Sequence, residues 1–218
     1  MTCLHEARRR VRAGLCLVVL VGWGSASGCE ATGRDGKASS FLMVNSVSAA
    51  SGARPETFGG SLPSDVQTYV KVDVNGQEVR VPTVFEDLAQ VTLGLSMKNP
   101  GSAAEPTSPS PINFVTVRAY RVTFSRSDGR NTPGVDVPYP FDGALTVTVG
   151  DAPVTTTLVL VRVQAKQEAP LRALIGGGGA IAISTMADIV LFGTDQAGRE
   201  VSVTARISVN FADWGDPE

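Results

Sequence analysis

Val201-Ser-Val-Thr-Ala-Arg-Ile-Ser-Val-Asn-Phe211 alternates without a fault: Val201, Val203, Ala205, Ile207, Val209 and Phe211 are apolar, and every residue between them is polar or charged. Only a β-strand has a side-chain period of two, so this stretch buries one face and wets the other. Ala187 to Thr194 is its expected partner, joined through Asp195-Gln-Ala-Gly-Arg-Glu200, a short turn carrying Asp and Gly. Together they read as the closing hairpin of an antiparallel sheet.

The same logic extends toward the N-terminus. In Thr68 to Val81, Val70, Val72 and Val74 alternate with polar residues, Asn75-Gly76 intervenes, and Val79 and Val81 resume the alternation. Asn-Gly suits a two-residue type I′ turn because both positions need positive φ. That turn pairs Val74 with Gln77, Val72 with Val79 and Val70 with Val81, which puts the valines on one face. The hairpin is expected to lie as a structural flap on the core; a protruding contact arm is the other reading.

Further strands are expected at Phe41 to Val47, Val91 to Met97, Phe114 to Arg126, Leu145 to Val149 and Val154 to Val163. In Phe114 to Arg126 the inward residues change from odd (Val115, Val117) to even (Tyr120, Val122, Phe124), so a β-bulge belongs near Arg118-Ala119. The last two runs are expected to pair across Gly150 to Pro153. Leu158 to Val161 is apolar throughout and reads as a central strand, and Tyr120, Phe124 and Phe192 read as core. Between the strands, residues 49–64 read as loop, Asn99 to Pro111 with its four prolines as a stiff exposed loop, and Glu168 to Leu174 as one helical turn. Thr, Val, Ser and Gly dominate and no long helix-forming run occurs, so the chain is all-β.

The first residues are set apart. Arg8, Arg9, Arg10 and Arg12 precede an apolar Leu15 to Val21, then small residues and Cys29, a pattern of export too short to span a bilayer. Ala26-Ser27-Gly28-Cys29 resembles the lipobox of bacterial lipoproteins, with Ala26 where that pattern usually has Leu. The resemblance implies a signal peptide over 1–28, lipidation at Cys29, and a membrane anchor through that lipid. An ordinary secretory signal cut near Ser27 or Gly28 is the alternative. Residues 29–40 then form the lipidated cysteine and a flexible tether, 41–211 a single domain, and 212–218 an acidic tail; removal of Asp213 to Glu218 is expected to be tolerated.

Loss of 1–28 removes four arginines and one glutamate. The balance of 19 basic and 21 acidic residues becomes 15 against 20, and no basic patch stands out, which argues against nucleic acid. Of Cys3, Cys16 and Cys29 only the last survives, so no internal disulfide can hold the exported domain. The single histidine, His5, is also lost, which excludes His-based triads and His-based metal sites. The run Gly176 to Gly179 lacks the Lys and Ser/Thr of a phosphate loop and reads as a hinge or loop. Asp128, Asp136, Asp142, Asp195, Asp213 and Asp216 remain as calcium ligands or hydrolytic carboxylates, but they are not densely spaced and read as solvated turn residues. Trp214 is the one tryptophan of the mature chain, beside three tyrosines, and a sugar site ordinarily offers several aromatic platforms. Tyr139, held between two prolines, reads as part of a loop lid.

Strand number and spacing over 41–211 resemble an immunoglobulin-like or fibronectin III-like β-sandwich of seven to eight antiparallel strands with an extra N-terminal β-hairpin. The Cys…Trp…Cys core of antibody domains is missing. The functional expectation is a lipid-anchored protein of the bacterial cell envelope, periplasmic or surface-exposed. It would act as a non-catalytic binding or structural module, without cofactor or metal, toward an envelope protein or polysaccharide. A carbohydrate- or calcium-dependent adhesion module is the alternative, and a carboxylate-based hydrolase a more distant one.

Overall fold

The computed structural model describes residues 38–215. Cys29, the export signal, most of the tether and Asp216 to Glu218 lie outside the described residues.

The chain is all-β. Its strands are β1 (Ser40–Ala50), β2 (Ser61–Asp65), β3 (Thr68–Val74), β4 (Gln77–Thr83), β5 (Asp87–Met97), β6 (Val115–Ser125), β7 (Phe141–Val149), β8 (Val154–Val161), β9 (Ile183–Asp195) and β10 (Glu200–Ala212). Among the described residues one short helix, α1 (Val163–Gln167), and two 3-10 turns, Pro111–Asn113 and Leu171–Leu174, interrupt them. The strands form a three-stranded sheet, β1-β5-β8, a five-stranded sheet, β2-β10-β9-β6-β7, and a separate ribbon, β3-β4. All pairs are antiparallel except β2, which runs parallel to β10. The two larger sheets share one hydrophobic cluster, to which β1, β5 and β8 contribute from one side and β6, β9 and β10 from the other.

The closing hairpin has the expected pairing, running from Glu200 opposite Thr194 to Phe211 opposite Ile183. Val201, Ala205, Ile207, Val209 and Phe211 are buried and Val203 is half-buried, while Ser202, Thr204 and Arg206 face solvent. The bulge in β6 also falls where the phase change puts it: the register slips between Val117 and Ala119, and Tyr120, Val122 and Phe124 are buried beyond it.

Four local expectations are corrected. Leu145 to Val149 and Val154 to Val161 do not pair with each other; β7 bonds to β6 and β8 to β5, so the chain changes sheets at Gly150–Pro153. β8 is therefore an edge strand, and its Leu158, Leu160 and Val161 are covered by packing and not by neighbouring strands on both sides. Phe192 points outward and is exposed, because the phase of β9 gives the interior to Ile189 and Leu191. Ser61–Asp65, within what reads as loop, is a strand; Pro63 is tolerated there because β2 is an edge.

The valine hairpin keeps its expected register, with Val74 opposite Gln77, Val72 opposite Val79 and Val70 opposite Val81. Asn75 and Gly76 have φ of 57° and 81°, as a type I′ turn requires. It is not a flap on the core. Its five valines are 36–47% exposed and the ribbon bonds to neither larger sheet, so it projects from the domain as an arm.

Candidate functional site

A cleft of about 420 Å³ opens beside β2, between the loop that follows β1 and the end of β10. Its loop wall is held by its own backbone. Ala49 and Gly59 exchange two hydrogen bonds of 2.9 Å, Arg54 N–H donates to the Ser51 carbonyl (2.8 Å) and Thr57 N–H to the Arg54 carbonyl (3.1 Å). Ser51, Ala53, Arg54, Thr57 and Gly59 line the cleft from this side. From β2 the alternate residues Ser61, Pro63 and Asp65 line it, while Leu62 and Ser64 are fully buried. The period of two thus turns one face of an edge strand toward the cleft and the other into the core.

Trp214 and Gly215 complete the lining. Trp214 N–H donates to Asp65 Oδ1 at 3.1 Å, and its indole N–H donates to the Asn210 carbonyl at 3.3 Å. With that polar atom engaged, what the side chain offers to the cleft is ring carbon. The glycine run lies on the far side of the same residues: Gly176 N–H donates to Asp213 Oδ2 at 2.6 Å, and Gly179, at φ 74°, sits against the indole ring. Residues 176–179 are therefore fastened to the C-terminal segment. Deletion of 213–218 is accordingly not expected to be neutral, because it removes a partner of the Asp65 carboxylate and of the glycine loop.

Asp65 is almost wholly buried. Burial pushes its carboxyl up to about 6; the N–H groups of Trp214 and Gln67 pull the other way, the nearby Asp213 charge adds to the rise, and Lys166 opposes it. Behind the cleft lies a buried ion pair. Lys166 Nζ donates to Asp87 Oδ1 at 2.7 Å, with the two side chains 1% and 0% exposed. Burial raises the proton affinity of Asp87, and Lys166, the Ser64 hydroxyl and Gly52 N–H each work against that rise. Ser64 Oγ donates to Asp87 Oδ2 at 2.6 Å and Gly52 N–H to Oδ1 at 2.9 Å. Gly52 belongs to the loop wall and Ser64 to the strand wall, so one carboxylate fixes both sides of the cleft. Gly52 must also be glycine: a Cβ there would lie 2.2 Å from the Glu86 carbonyl oxygen.

The acidic residues singled out from sequence are dispersed. Asp128 is held by Arg126 (2.7 Å) and Arg130 (2.9 Å), bonds that keep its carboxyl well below the usual range. Asp142 is held by Arg121, which lowers it likewise. Asp136 accepts from Thr132 N–H. Asp195 closes the β9–β10 turn; against the upward push of burial, Arg199 through its N–H and guanidinium and Ala197 N–H keep it low. Asp213 is turned to Gly176, and Cys29 and Asp216 lie outside the described residues. Among the described residues no group of three Asp, Glu, His or Cys side chains is placed to hold a metal ion. Tyr139 is half-exposed, with its ring laid over Gly134. The proline loop 99–111 is exposed and cross-braced by Thr107 N–H to the Pro100 carbonyl (2.9 Å).

Sequence reasoning missed Asp65, Asp87 and Lys166. None stands in a motif, and each acquires its character from residues far along the chain: Asp65 from Trp214, and Asp87 from Lys166. A tryptophan three residues past Phe211 was the one available signal. No family model matches this chain, and comparison with characterised proteins and with solved structures finds no match.

Proposed function

We propose that this chain is an exported, lipid-anchored protein of a bacterial cell envelope whose folded domain is a non-catalytic binding module using the cleft beside β2. The observation that carries the binding reading is the cleft itself: an apolar ring and a buried carboxyl converge in a concavity whose two walls are fixed by one buried ion pair. Its volume lies at the lower end of ligand pockets, roughly 300–1,000 Å³. Among the described lining residues only Asp65 is acidic, which supports binding over two-carboxylate hydrolysis. The anchor reading rests on the lipobox-like Ala26–Cys29. We read the two facing sheets as an immunoglobulin-like or fibronectin III-like sandwich with the β3-β4 arm as an elaboration, supported by their shared core.

Two measurements test this. Cells fed radiolabelled palmitate should label the protein, and Cys29→Ala should abolish the label; undiminished labelling of that variant defeats the anchor. A photo-cross-linking residue at Thr57, on the cleft rim, should capture an envelope component in intact cells. The same residue at exposed Ser202 on β10 should not, and equal capture at both positions defeats the cleft as the binding site.

A further inference from the structure

The cleft's chemistry narrows what it can hold. Its described lining has one guanidinium, from Arg54, and one carboxyl, from Asp65, so the two charges offset each other. A ligand of strong net charge would gain from one and lose to the other. The lining also carries the hydroxyls of Ser51, Thr57 and Ser61, ring carbon from Trp214 and the pyrrolidine of Pro63. The matching ligand is uncharged, carries hydrogen-bonding groups around its rim and presents an apolar face. Arg54 Nη2 donates only weakly to the Gly215 carbonyl, at 3.4 Å, so a bound hydroxyl can compete for it.

Taking the cleft as a binding site, as proposed above, we infer that its ligand is a neutral saccharide, one pyranose ring laid on Trp214 with its hydroxyls reaching Arg54, Asp65 and the serine and threonine side chains. One aromatic platform suits one ring, and a cleft of about 420 Å³ leaves room for little more than a second. Affinity for a short oligosaccharide is therefore expected in the millimolar range, to be raised on a polymer by rebinding along the chain. Both faces of Asp65 chemistry serve such a ligand. Ionised, it accepts from sugar hydroxyls; protonated, it donates to them. The charged groups that bear on it are Asp213, just past β10, and Lys166 from α1; Arg54 lines the same cleft from the loop wall. Binding of a neutral sugar should consequently change by less than about threefold between pH 5 and pH 8, whereas a charged ligand would respond strongly as Asp65 titrates near 6.

The test uses the full chain carrying Trp23→Phe, so that Trp214 is the only tryptophan, excited selectively over the three tyrosines. Titration with neutral trisaccharides of glucose, galactose and N-acetylglucosamine should change Trp214 emission saturably for at least one of them. The response to the corresponding uronate and to a lysine-rich tripeptide should be at least tenfold weaker. Arg54→Met, a change at an exposed side chain, should weaken sugar binding five- to twentyfold without altering the circular dichroism spectrum. Emission unmoved by every sugar, preferential response to the uronate or the peptide, or full binding by Arg54→Met overturns the inference. The Thr57 cross-linker separates the two levels: if sugars fail while it captures a protein, the saccharide falls and the binding module stands. If it captures nothing, both fall.

Discussion

The β9–β10 and β3–β4 hairpins are built from the same pattern and meet opposite fates. Each alternates valine-rich and polar positions, each closes on a turn containing a positive-φ glycine, and each pairs in the register its sequence dictates. In β9–β10 the apolar face is the floor of the shared core, with Ile189, Leu191, Val209 and Phe211 fully buried. In β3–β4 the equivalent face is open, from Val70 at 36% to Val74 at 47% exposed. Local alternation sets which side chains share a face. Whether anything covers that face depends on the neighbours, and β3 and β4 form a two-stranded sheet apart from the two larger ones.

The comparison breaks most sharply under a buried charge. Val209→Asp should abolish folding, since an unpaired carboxylate in the core costs several kcal/mol against a total stability of about 5–15 kcal/mol. Loss of the cooperative thermal transition is the readout. A second large effect comes from the ion pair that fastens β2 and the loop wall to the body. Lys166→Met should destabilise by about 3–5 kcal/mol in urea, while the double change with Asp87→Leu should recover a large part of that. Recovery of nothing would mean that Asp87 matters chiefly through Ser64 and Gly52.

Asp65 yields a smaller effect of the opposite sign. Its folded-state carboxyl is raised from 3.8 to about 6, so the stability this one group contributes is fully present below pH 4 and is lost as pH climbs through 6. Asp65→Asn keeps an acceptor for Trp214 N–H and removes the penalised charge. It should therefore be more stable than wild type at pH 8, by up to about 3 kcal/mol, with the difference vanishing near pH 4. A constant difference across that range would show that the carboxyl does not titrate there.

The arm supplies the small end of the series. Gly76→Val forces a branched side chain into positive φ and should loosen the ribbon by about 1–2 kcal/mol, seen as faster amide exchange in residues 68–83 with an unchanged global melt. Val72→Asp should shift global stability by no more than about 0.5 kcal/mol. A Val72→Asp protein that unfolds would mean the arm is covered in solution, and the contrast between the hairpins would disappear.

How much was legible follows from where each interaction closes. The register of β3–β4, the pairing of β9 with β10, the bulge at Arg118-Ala119 and the buried set of β10 were readable because partners lie within a few residues of a turn or on one strand. Sheet membership was not. The run Leu145 to Val149, a turn, and Val154 to Val161 looks like a hairpin, yet each strand finds a better partner far away: β7 takes β6 and β8 takes β5. The site was less legible still. Ser61-Leu-Pro-Ser-Asp65 has one apolar residue and a proline, and becomes a strand only because β10 is there to pair with it in parallel.

The sequence by itself determined an all-β chain, the faces of β3, β4, β6 and β10 and the turns between the nearest strands, because period and positive φ are local properties. Only the tertiary structure decided which apolar faces are buried, that Lys166 meets Asp87, and that Trp214 returns to Asp65 to close a cleft. Those are contacts between residues 79 and 149 positions apart, and neither residue of such a pair carries a mark of the other. Val201 to Phe211 joins the two levels: its alternation makes it a strand, and the Trp214 that follows it reaches the cleft because that strand is anchored in the core.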